Sequence, residues 1–323
     1  MAQKTDTWPG VSFGASFWGR PRGERRGAEV RLDKAFIWAG ERWRIPAVYV
    51  CGKGLVADFL LRVPPRRVRA FLRRYGPLAE QAETDKALCA ELEAANPLAA
   101  RLSAKAVWNG RALAPVRTCR ACWAPFAGSD APQELAALLA HYGCDPAFGW
   151  AAVRAAFPWA AARHGALRTL AFELEDEAHD VYGPAFTVSG PGQTLAVRHP
   201  LTGETYTLTV TKWEPRCTHT IPDEQCEHPS CFAALHYTLD PQPQPGLLRV
   251  ADCAPADASR PKNAGPYAPQ ARADFALALL ADPDAPGEEI AVSSLRFAHA
   301  DTVTWRACFS VRTKPPIHVH CAP

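Results

Sequence analysis

Proline constrains the fold of this chain more than any other residue, because it accounts for 30 of the 323 positions. Proline fixes its own φ angle, lacks a backbone N–H and interrupts helices and central strands. The prolines cluster in turn-rich stretches such as residues 241–245 and 253–270. We therefore expect many short elements joined by rigid turns.

Several segments alternate apolar and polar residues, which is the pattern of half-buried β-strands. The segments with this alternation are residues 30–38, 43–49, 55–63, 205–211 and 303–311. Gly52 and Gly54 separate the second and third of them. A phosphate-binding loop is longer and opens a helix, so this short interruption predicts a tight turn between antiparallel strands.

A helix is predicted directly after the third strand. Pro64 and Pro65 can occupy a first helical turn, where no backbone donor is needed. The apolar residues that follow recur at helical spacing, namely Val68, Phe71, Leu72 and Tyr75. Weaker patterns predict further helices over residues 78–94, 132–142 and 146–157.

These elements predict an α+β fold class. Antiparallel strands with helices form an N-terminal half, and a mostly-β half, similar to a sandwich or a barrel, follows it. The expected organisation is an irregular basic arm over residues 1–27, an α+β domain over 28–160 and a mostly-β domain over 165–323.

Charge is distributed unevenly along the chain. The first 76 residues hold sixteen Lys or Arg and six Asp or Glu, a net charge of +10, whereas the whole chain carries +3. Such a concentration of positive charge favours an anionic partner. The alternative is that the basic and acidic segments neutralise each other within the molecule.

The predicted helix after Pro65 carries much of this positive charge. Guanidinium groups pair well with carboxylates and phosphates. The candidate residues for binding an anionic partner are Arg62, Arg66, Arg67, Arg69, Arg73 and Arg74. No helix-turn-helix, zinc-finger or RNP motif accompanies them, and a solvated helix face is the alternative interpretation.

A loop rich in cysteine and histidine is the most unusual motif. Its potential metal ligands are Cys217, His219, Cys226, His228 and Cys231. Thiolates and imidazoles are the ligands of tetrahedral zinc sites, so zinc is the candidate cofactor. The spacing differs from the usual pair of cysteines two to four residues apart. A proline-stiffened loop with unrelated thiols is therefore the alternative.

Two other motifs contain metal-ligating residues. Cys119 and Cys122 have the spacing of a zinc knuckle or a redox pair, but no helix is predicted to start there. His318 and His320 are two residues apart, so on a strand they share one face. Both motifs are more typical of ordinary surface or core residues.

Three carboxylates support a third hypothesis, a hydrolase. Glu173 and Glu175 share a strand face, and Asp58 lies among apolar residues. Paired carboxylates can serve as general acid and base, provided that they converge in one pocket. The sequence contains neither the Gly-x-Ser-x-Gly nor the His-Glu-x-x-His motif of known hydrolases.

We expect a cytoplasmic protein, because residues 1–10 lack the apolar core of a signal peptide. The leading hypothesis is a non-catalytic binding or scaffold protein that presents a basic N-terminal surface to an acidic protein or a nucleic acid, and not to a membrane. The alternative is a zinc-stabilised module or a metal-dependent enzyme that uses the loop at 217–231.

Overall fold

A computed structural model of the chain describes residues 8, 10–19, 21–82, 86–128, 132–160, 165–217, 225–262 and 287–321. Strands make up 48% of the chain and helices 13%, so the fold is mostly β and the predicted α+β class is wrong. Each helix in these described ranges is too short or too polar to cross a lipid bilayer.

The strands are β1 (Ala28–Trp38), β2 (Glu41–Val50), β3 (Gly54–Val63), β4 (Ser103–Trp108), β5 (Arg111–Leu113), β6 (Arg117–Trp123), β7 (Gly149–Pro158), β8 (Leu170–Glu175), β9 (His179–Thr187), β10 (Thr194–Arg198), β11 (Thr205–Cys217), β12 (Cys226–Glu227), β13 (Cys231–Asp240), β14 (Leu248–Asp252), β15 (Arg260–Pro261), β16 (Glu289–Val292), β17 (Thr304–Val311) and β18 (Ile317–Cys321). The α-helices are α1 (Pro65–Tyr75), α2 (Ala79–Ala82), α3 (Lys86–Ala95) and α4 (Gln133–His141). Short 3₁₀ turns cover Gly76–Leu78 and Pro125–Ala127.

The chain forms two compact units, each built from separate segments. Unit 1 comprises Met1–Pro77, Ala95–Ala178 and Arg312–Pro323. Unit 2 comprises Leu78–Ala94 and His179–Val311.

Unit 1 contains two antiparallel sheets, in the strand orders β1-β2-β3-β7-β6 and β18-β8-β4-β5. Their facing side chains form one core. Within it the ring of Phe172 meets that of Phe59 edge to face, with centroids 5.1 Å apart. Burying a side chain of this size contributes about 2 kcal/mol. Two sheets that share a core in this way form a β-sandwich.

The outer face of the five-stranded sheet is covered as well. Leu135 and Leu138 of α4, together with Val11 and Phe17 of the irregular segment at residues 10–19, form a second core cluster there. As a result, β3 and β7 at the centre of the sheet are buried on both faces. Central strands covered on both sides consist of nearly continuous apolar residues.

Strand β7 explains most of the error in the predicted fold class. The predicted helix over residues 146–157 is wrong, because most of this alanine-rich stretch belongs to β7, an inner strand of the five-stranded sheet. Ala151 and Val153 face the sandwich core, while Trp150 and Ala152 face the cluster under α4. An apolar run covered on both sides has no period of two, so its pattern does not distinguish a buried strand from a buried helix.

Other predicted elements of unit 1 are confirmed. The helix after the paired prolines is α1, and Val68 and Tyr75 are its buried residues. The hairpin turn before β3 is closed by Cys51, whose N–H donates to the carbonyl of Gly54 at 2.8 Å. The helix predicted at 132–142 is α4. In unit 2, the described residues of the helix predicted at 78–94 include α2 and α3, and residues 83–85 lie outside the described residues.

Unit 2 also contains two larger sheets, in the orders β10-β11-β13-β16 and β14-β17-β9. Tyr206 and Leu235 from the first sheet and Trp305 and Phe309 from the second contribute to one core. The two-stranded sheet β12-β15 lies outside this core. The alternation over residues 205–211 and 303–311 therefore predicted β11 and β17, which belong to opposite layers of this unit.

Candidate metal centre and basic surface

Three side chains of unit 2 bring metal-ligating atoms together. Cys217, Cys231 and His299 place their sulfur and ring nitrogen atoms within 4.8 Å of one another. The Sγ atom of Cys217 lies 2.6 Å from that of Cys231 and 3.3 Å from Nε2 of His299. We call these three residues the thiol–imidazole cluster. A group with these donors could hold a metal ion.

The register of two neighbouring strands creates the thiol pair. Cys217 is the last residue of β11 and Cys231 is the first residue of β13, and the two are directly opposite each other. Directly opposite residues of an antiparallel pair have Cβ atoms about 5 Å apart. The two thiols therefore meet at the end of β11 and the start of β13.

A backbone bridge positions the imidazole. Cys231 and Arg296 exchange two backbone hydrogen bonds, of 2.9 and 2.8 Å. The carboxylate of Asp257 accepts a further bond from the N–H of Phe297 at 2.9 Å. This segment is held beside the start of β13, and three residues after Arg296 the ring of His299 reaches Cys217. Sequence analysis missed His299, because no local pattern marks a residue brought in by such a long-range bridge.

The cluster is half accessible to solvent, since Cys231 is buried while Cys217 and His299 are exposed. The hydrogen bond with Cys231 raises the pKa of the Cys217 thiol, and burial adds a smaller contribution. Metals bind the thiolate form. A metal ion therefore has to displace the thiol protons, which makes binding more favourable as the pH rises.

The other predicted ligands have different surroundings. Cys226 lies in β12, opposite Pro261 of β15. The Nδ1 atom of His228 lies 2.7 Å from the hydroxyl of Ser259. Neither residue is part of the thiol–imidazole cluster. His219 falls within residues 218–224, outside the described residues.

The predicted anion-binding arginines lie on or next to α1 in unit 1. Arg66, Arg67 and Arg73 are exposed, and their side chains make no ion pair or hydrogen bond with the part of the chain that the structure describes. The guanidinium of Arg69 lies 5.2 Å from the ring centroid of Phe126.

Two further arginines lie on the strands that precede α1 in the chain. Arg62 lies at the end of β3, directly opposite Arg42 of β2. The guanidinium of Arg62 stacks 3.5 Å from the ring centroid of Phe148, and its buried Nε has no hydrogen-bond partner. Like charges opposite each other on neighbouring strands are destabilising, unless an anion lies between them. We use the name basic surface for the group consisting of Arg42, Arg62, Arg66, Arg67, Arg69, Arg73 and Arg74.

Internal ion pairs neutralise some of the positive charges near the strands, but among the described residues they leave Arg66, Arg67 and Arg73 of α1 unpaired. Arg44 pairs with Asp33, and Lys53 with Glu24. Arg31 on β1 also pairs with a carboxylate of its own strand. Arg74 stacks 4.9 Å from the ring centroid of the adjacent tyrosine. The helix α1 is therefore one part of the chain that carries unpaired positive charge in the described residues.

The remaining motifs do not assemble into a site. Cys119 and Cys122 are three residues apart on β6, so they point to opposite faces of the strand. The rings of His318 and His320 are tilted by 54° to each other with centroids 4.5 Å apart on β18, as expected for positions two residues apart.

The three carboxylates are divided between two sheets. Glu173 and Glu175 lie on β8, where Glu175 pairs with Lys105 at 3.8 Å. Asp58 belongs to the other sheet, where it is fully buried and paired with Arg154 of β7. A hydrolase mechanism that needs these three groups in one pocket has no support from this arrangement.

The chain matches no protein-family model, no curated protein and no solved structure. Any functional conclusion therefore depends on the geometry of the basic surface and of the thiol–imidazole cluster.

Proposed function

We propose that this chain is a cytoplasmic, non-catalytic binding protein whose basic surface docks an acidic partner. The observation that carries the proposal is the exposure of Arg66, Arg67 and Arg73 without an ion pair in the described residues. Long-range attraction by such a surface accelerates association and weakens as salt is added.

The surroundings of these arginines favour an acidic protein over a nucleic acid. Leu72 is 43% exposed between the arginines, so the helix offers an apolar contact as well as charge. Apolar contacts surrounded by arginine are typical of protein interfaces. No aromatic stacking motif for single-stranded bases accompanies the helix in the sequence.

Salt-dependent retention tests this proposal. The triple substitution Arg66→Gln, Arg67→Gln and Arg73→Gln is compared with the wild-type chain on poly-glutamate and DNA resins. We expect the variant to elute from poly-glutamate at lower salt. The slope of the logarithm of affinity against the logarithm of salt concentration should fall by about one for each arginine removed. Circular dichroism checks that the variant folds.

The matched control removes the same charge elsewhere in unit 1, through Arg111→Gln, Arg168→Gln and Arg312→Gln. These three arginines are also exposed. Equal losses in both triple variants would show that net charge, and not the basic surface, causes retention. Retention on DNA alone would identify a nucleic acid as the partner.

We also propose zinc as the ion held by the thiol–imidazole cluster. Zinc binds two thiolates and an imidazole at distances of about 2.3 and 2.0 Å, so a sulfur and a nitrogen ligand lie about 3.6 Å apart in a tetrahedral site. Cys217 Sγ and His299 Nε2 are 3.3 Å apart. The two sulfurs, at 2.6 Å, would have to move apart by about 1 Å.

Metal analysis of protein purified without chelators tests the zinc proposal. We expect about one equivalent of zinc, and its loss in Cys217→Ser and in His299→Ala. Cys226→Ser and His228→Ala are the matched controls, because they change the same residue types outside the cluster. Zinc that is retained in Cys217→Ser and His299→Ala but lost in Cys226→Ser and His228→Ala would refute this ligand set. An intact mass lacking two hydrogens, together with a cross-linked peptide that contains Cys217 and Cys231 after digestion, would show a disulfide between them instead.

A further inference from the structure

The two cysteines of the thiol–imidazole cluster occupy strand positions that suit a disulfide bond. Cys231 exchanges both of its backbone hydrogen bonds with Arg296 on one side. Its pairing with Cys217 on the other side is therefore of the non-hydrogen-bonded kind. In such a pair the Cα atoms are about 4.5 Å apart and the side chains lie close together. This separation falls within the range of about 4.4–6.8 Å that a disulfide spans.

The side chains are already in position for this bond. Directly opposite residues share one face of the sheet, and on this face Ala233 and Leu235 of β13 enter the core of unit 2. The Sγ atoms of Cys217 and Cys231 are 2.6 Å apart, and a disulfide bond is about 2.05 Å long. The bond can therefore form with a small movement of the side chains and no change of strand register.

Other cysteines on strands lack this arrangement. Cys119 and Cys122 point to opposite faces of β6, so the strand would have to deform before their sulfurs could meet. Cys226, Cys308 and Cys321 also lie on strands, but the residues opposite them are not cysteines. The register of β11 and β13 therefore distinguishes Cys217 and Cys231 from these five thiols.

The two thiols of the pair differ in their access to solvent. Cys217 is exposed and Cys231 is buried. A small disulfide in solution can reach Cys217, and the mixed disulfide that results lies next to the protected thiol of Cys231. Exposed disulfides are the ones that small thiols reduce most readily. The pair therefore suits a bond that forms and opens again.

We propose that Cys217 and Cys231 form a reversible disulfide by exchange with small disulfides of the glutathione class. The Cys217 thiolate attacks one sulfur of oxidised glutathione, whose S–S bond breaks and releases one glutathione thiolate. Cys231 then attacks the sulfur of Cys217 and releases the second glutathione thiolate. The two leaving thiolates take up the two protons lost by the cysteines. The protein is thus oxidised by two electrons, and one glutathione disulfide is reduced to two thiols.

The disulfide and the proposed metal ion exclude each other. A metal ion binds the thiolate form of cysteine, and the oxidised pair has no thiolate to offer. Oxidation would therefore release the ion. This control of metal release rests on the proposed metal site, whereas the disulfide itself does not.

Titration of the full chain with oxidised glutathione tests the proposal. The chain is first reduced and freed of metal with a chelator, and the products are mapped by mass spectrometry after an acid quench. We expect a peptide that joins Cys217 to Cys231, lighter by two hydrogens than the two reduced peptides, and its disappearance on addition of dithiothreitol. Cys231→Ser should stop at the mixed disulfide, with one glutathione on Cys217.

Cys122→Ser is the matched control, because Cys122 is also an exposed cysteine on a strand. It should form the bond between Cys217 and Cys231 as the wild type does. Cys231→Ala gives the same trapped adduct with an apolar side chain at the buried position, if circular dichroism shows that Cys231→Ser does not fold. A wild-type chain that retains glutathione on Cys217, or that joins Cys217 to Cys226, would overturn the assigned pair.

Two further outcomes separate this inference from the metal proposal. Cysteines 217 and 231 that stay reduced in the metal-free chain under excess oxidised glutathione would overturn the disulfide and leave the metal proposal intact. A reversible disulfide in a chain that binds no zinc when reduced would support the disulfide and overturn the metal proposal. If both proposals hold, oxidation should release one equivalent of zinc, and reduction should restore zinc binding.

Discussion

Removing Asp58 should destabilise unit 1 more than any other single change of a charged residue. Asp58 and Arg154 are 0% and 2% exposed and lie opposite each other on the central strands. The guanidinium donates to both carboxylate oxygens, at 2.7 and 2.9 Å. It also lies 4.7 Å from the ring centroid of Phe17 and donates to the carbonyl of Ser16 at 3.4 Å.

The expected cost follows from this geometry. Asp58→Asn leaves a buried guanidinium without its counter-ion, and breaking a buried pair from one side typically costs about 3–5 kcal/mol. Replacing both partners by apolar residues of similar volume is often nearly neutral. We therefore expect Asp58→Asn to cost about 4 kcal/mol. The double variant Asp58→Val with Arg154→Met should cost about 1–2 kcal/mol, from the lost contacts to residues 16 and 17.

Native-state hydrogen exchange of the β7 amides is the suitable assay, since it measures opening of unit 1 separately from unit 2. Amide exchange in Asp58→Asn should be faster by the factor that corresponds to the lost free energy of unfolding. The double variant should recover most of the wild-type protection of the β7 amides. A loss below about 1 kcal/mol in Asp58→Asn, or a double variant as unstable as the single one, would refute the reasoning.

Three further changes test the packing of the two units. In Gly54→Ala the new Cβ would lie 2.1 Å from the carbonyl oxygen of Phe157, so we expect the free energy of unfolding in urea to fall by about 3 kcal/mol. The control is Gly52→Ala, whose new Cβ would have no atom within 4 Å and whose free energy of unfolding should stay within about 0.5 kcal/mol of the wild type. Phe172→Ala empties a fully buried position between the sheets of unit 1 and should cost about 3–5 kcal/mol in the same assay. Burial raises the pKa of the Cys308 thiol from 9.0 to about 11. Because this pKa is higher in the folded state, the contribution of the thiol to stability is complete below pH 9 and is lost as the pH rises toward 11. Urea midpoints measured between pH 9 and 11 should therefore fall less in Cys308→Ala than in the wild type.

Sequence patterns predicted the elements that have one covered and one solvated face. The alternation in β11 survives in the structure as buried Tyr206, Leu208 and Val210 between more exposed threonines. The paired prolines fixed the start of α1 for an equally local reason. Such features depend only on neighbours in the chain, so they are visible without tertiary information.

The fold class could not be predicted in the same way, because it depended on β7. Whether Gly149–Pro158 is a strand or a helix is decided by what covers it, and its covers come from distant segments. α4 and residues 10–19 lie over one face, and the strands of the second sheet lie over the other. Alanine favours a helix in isolation, but its small side chain also allows close packing on both faces of a central strand.

The candidate metal site was predicted only in part, because one of its three residues comes from a distant segment of the chain. The sequence placed Cys217 and Cys231 in one loop, and the strand register then brought their sulfurs together. The third member, His299, depends on the bridge between Cys231 and Arg296. Spacing rules capture ligands that share a turn or a strand, whereas a ligand brought in by long-range pairing leaves no local signal.

The two proposals concern different units, and this separation makes each of them independently testable. The basic surface belongs to α1, β2 and β3 of unit 1, and the thiol–imidazole cluster belongs to unit 2. Substitutions on α1 should leave the zinc content unchanged, and His299→Ala should leave retention on poly-glutamate unchanged. If His299→Ala instead lowered retention, the metal centre and the partner surface would be energetically coupled, and two separate functions would no longer describe the chain.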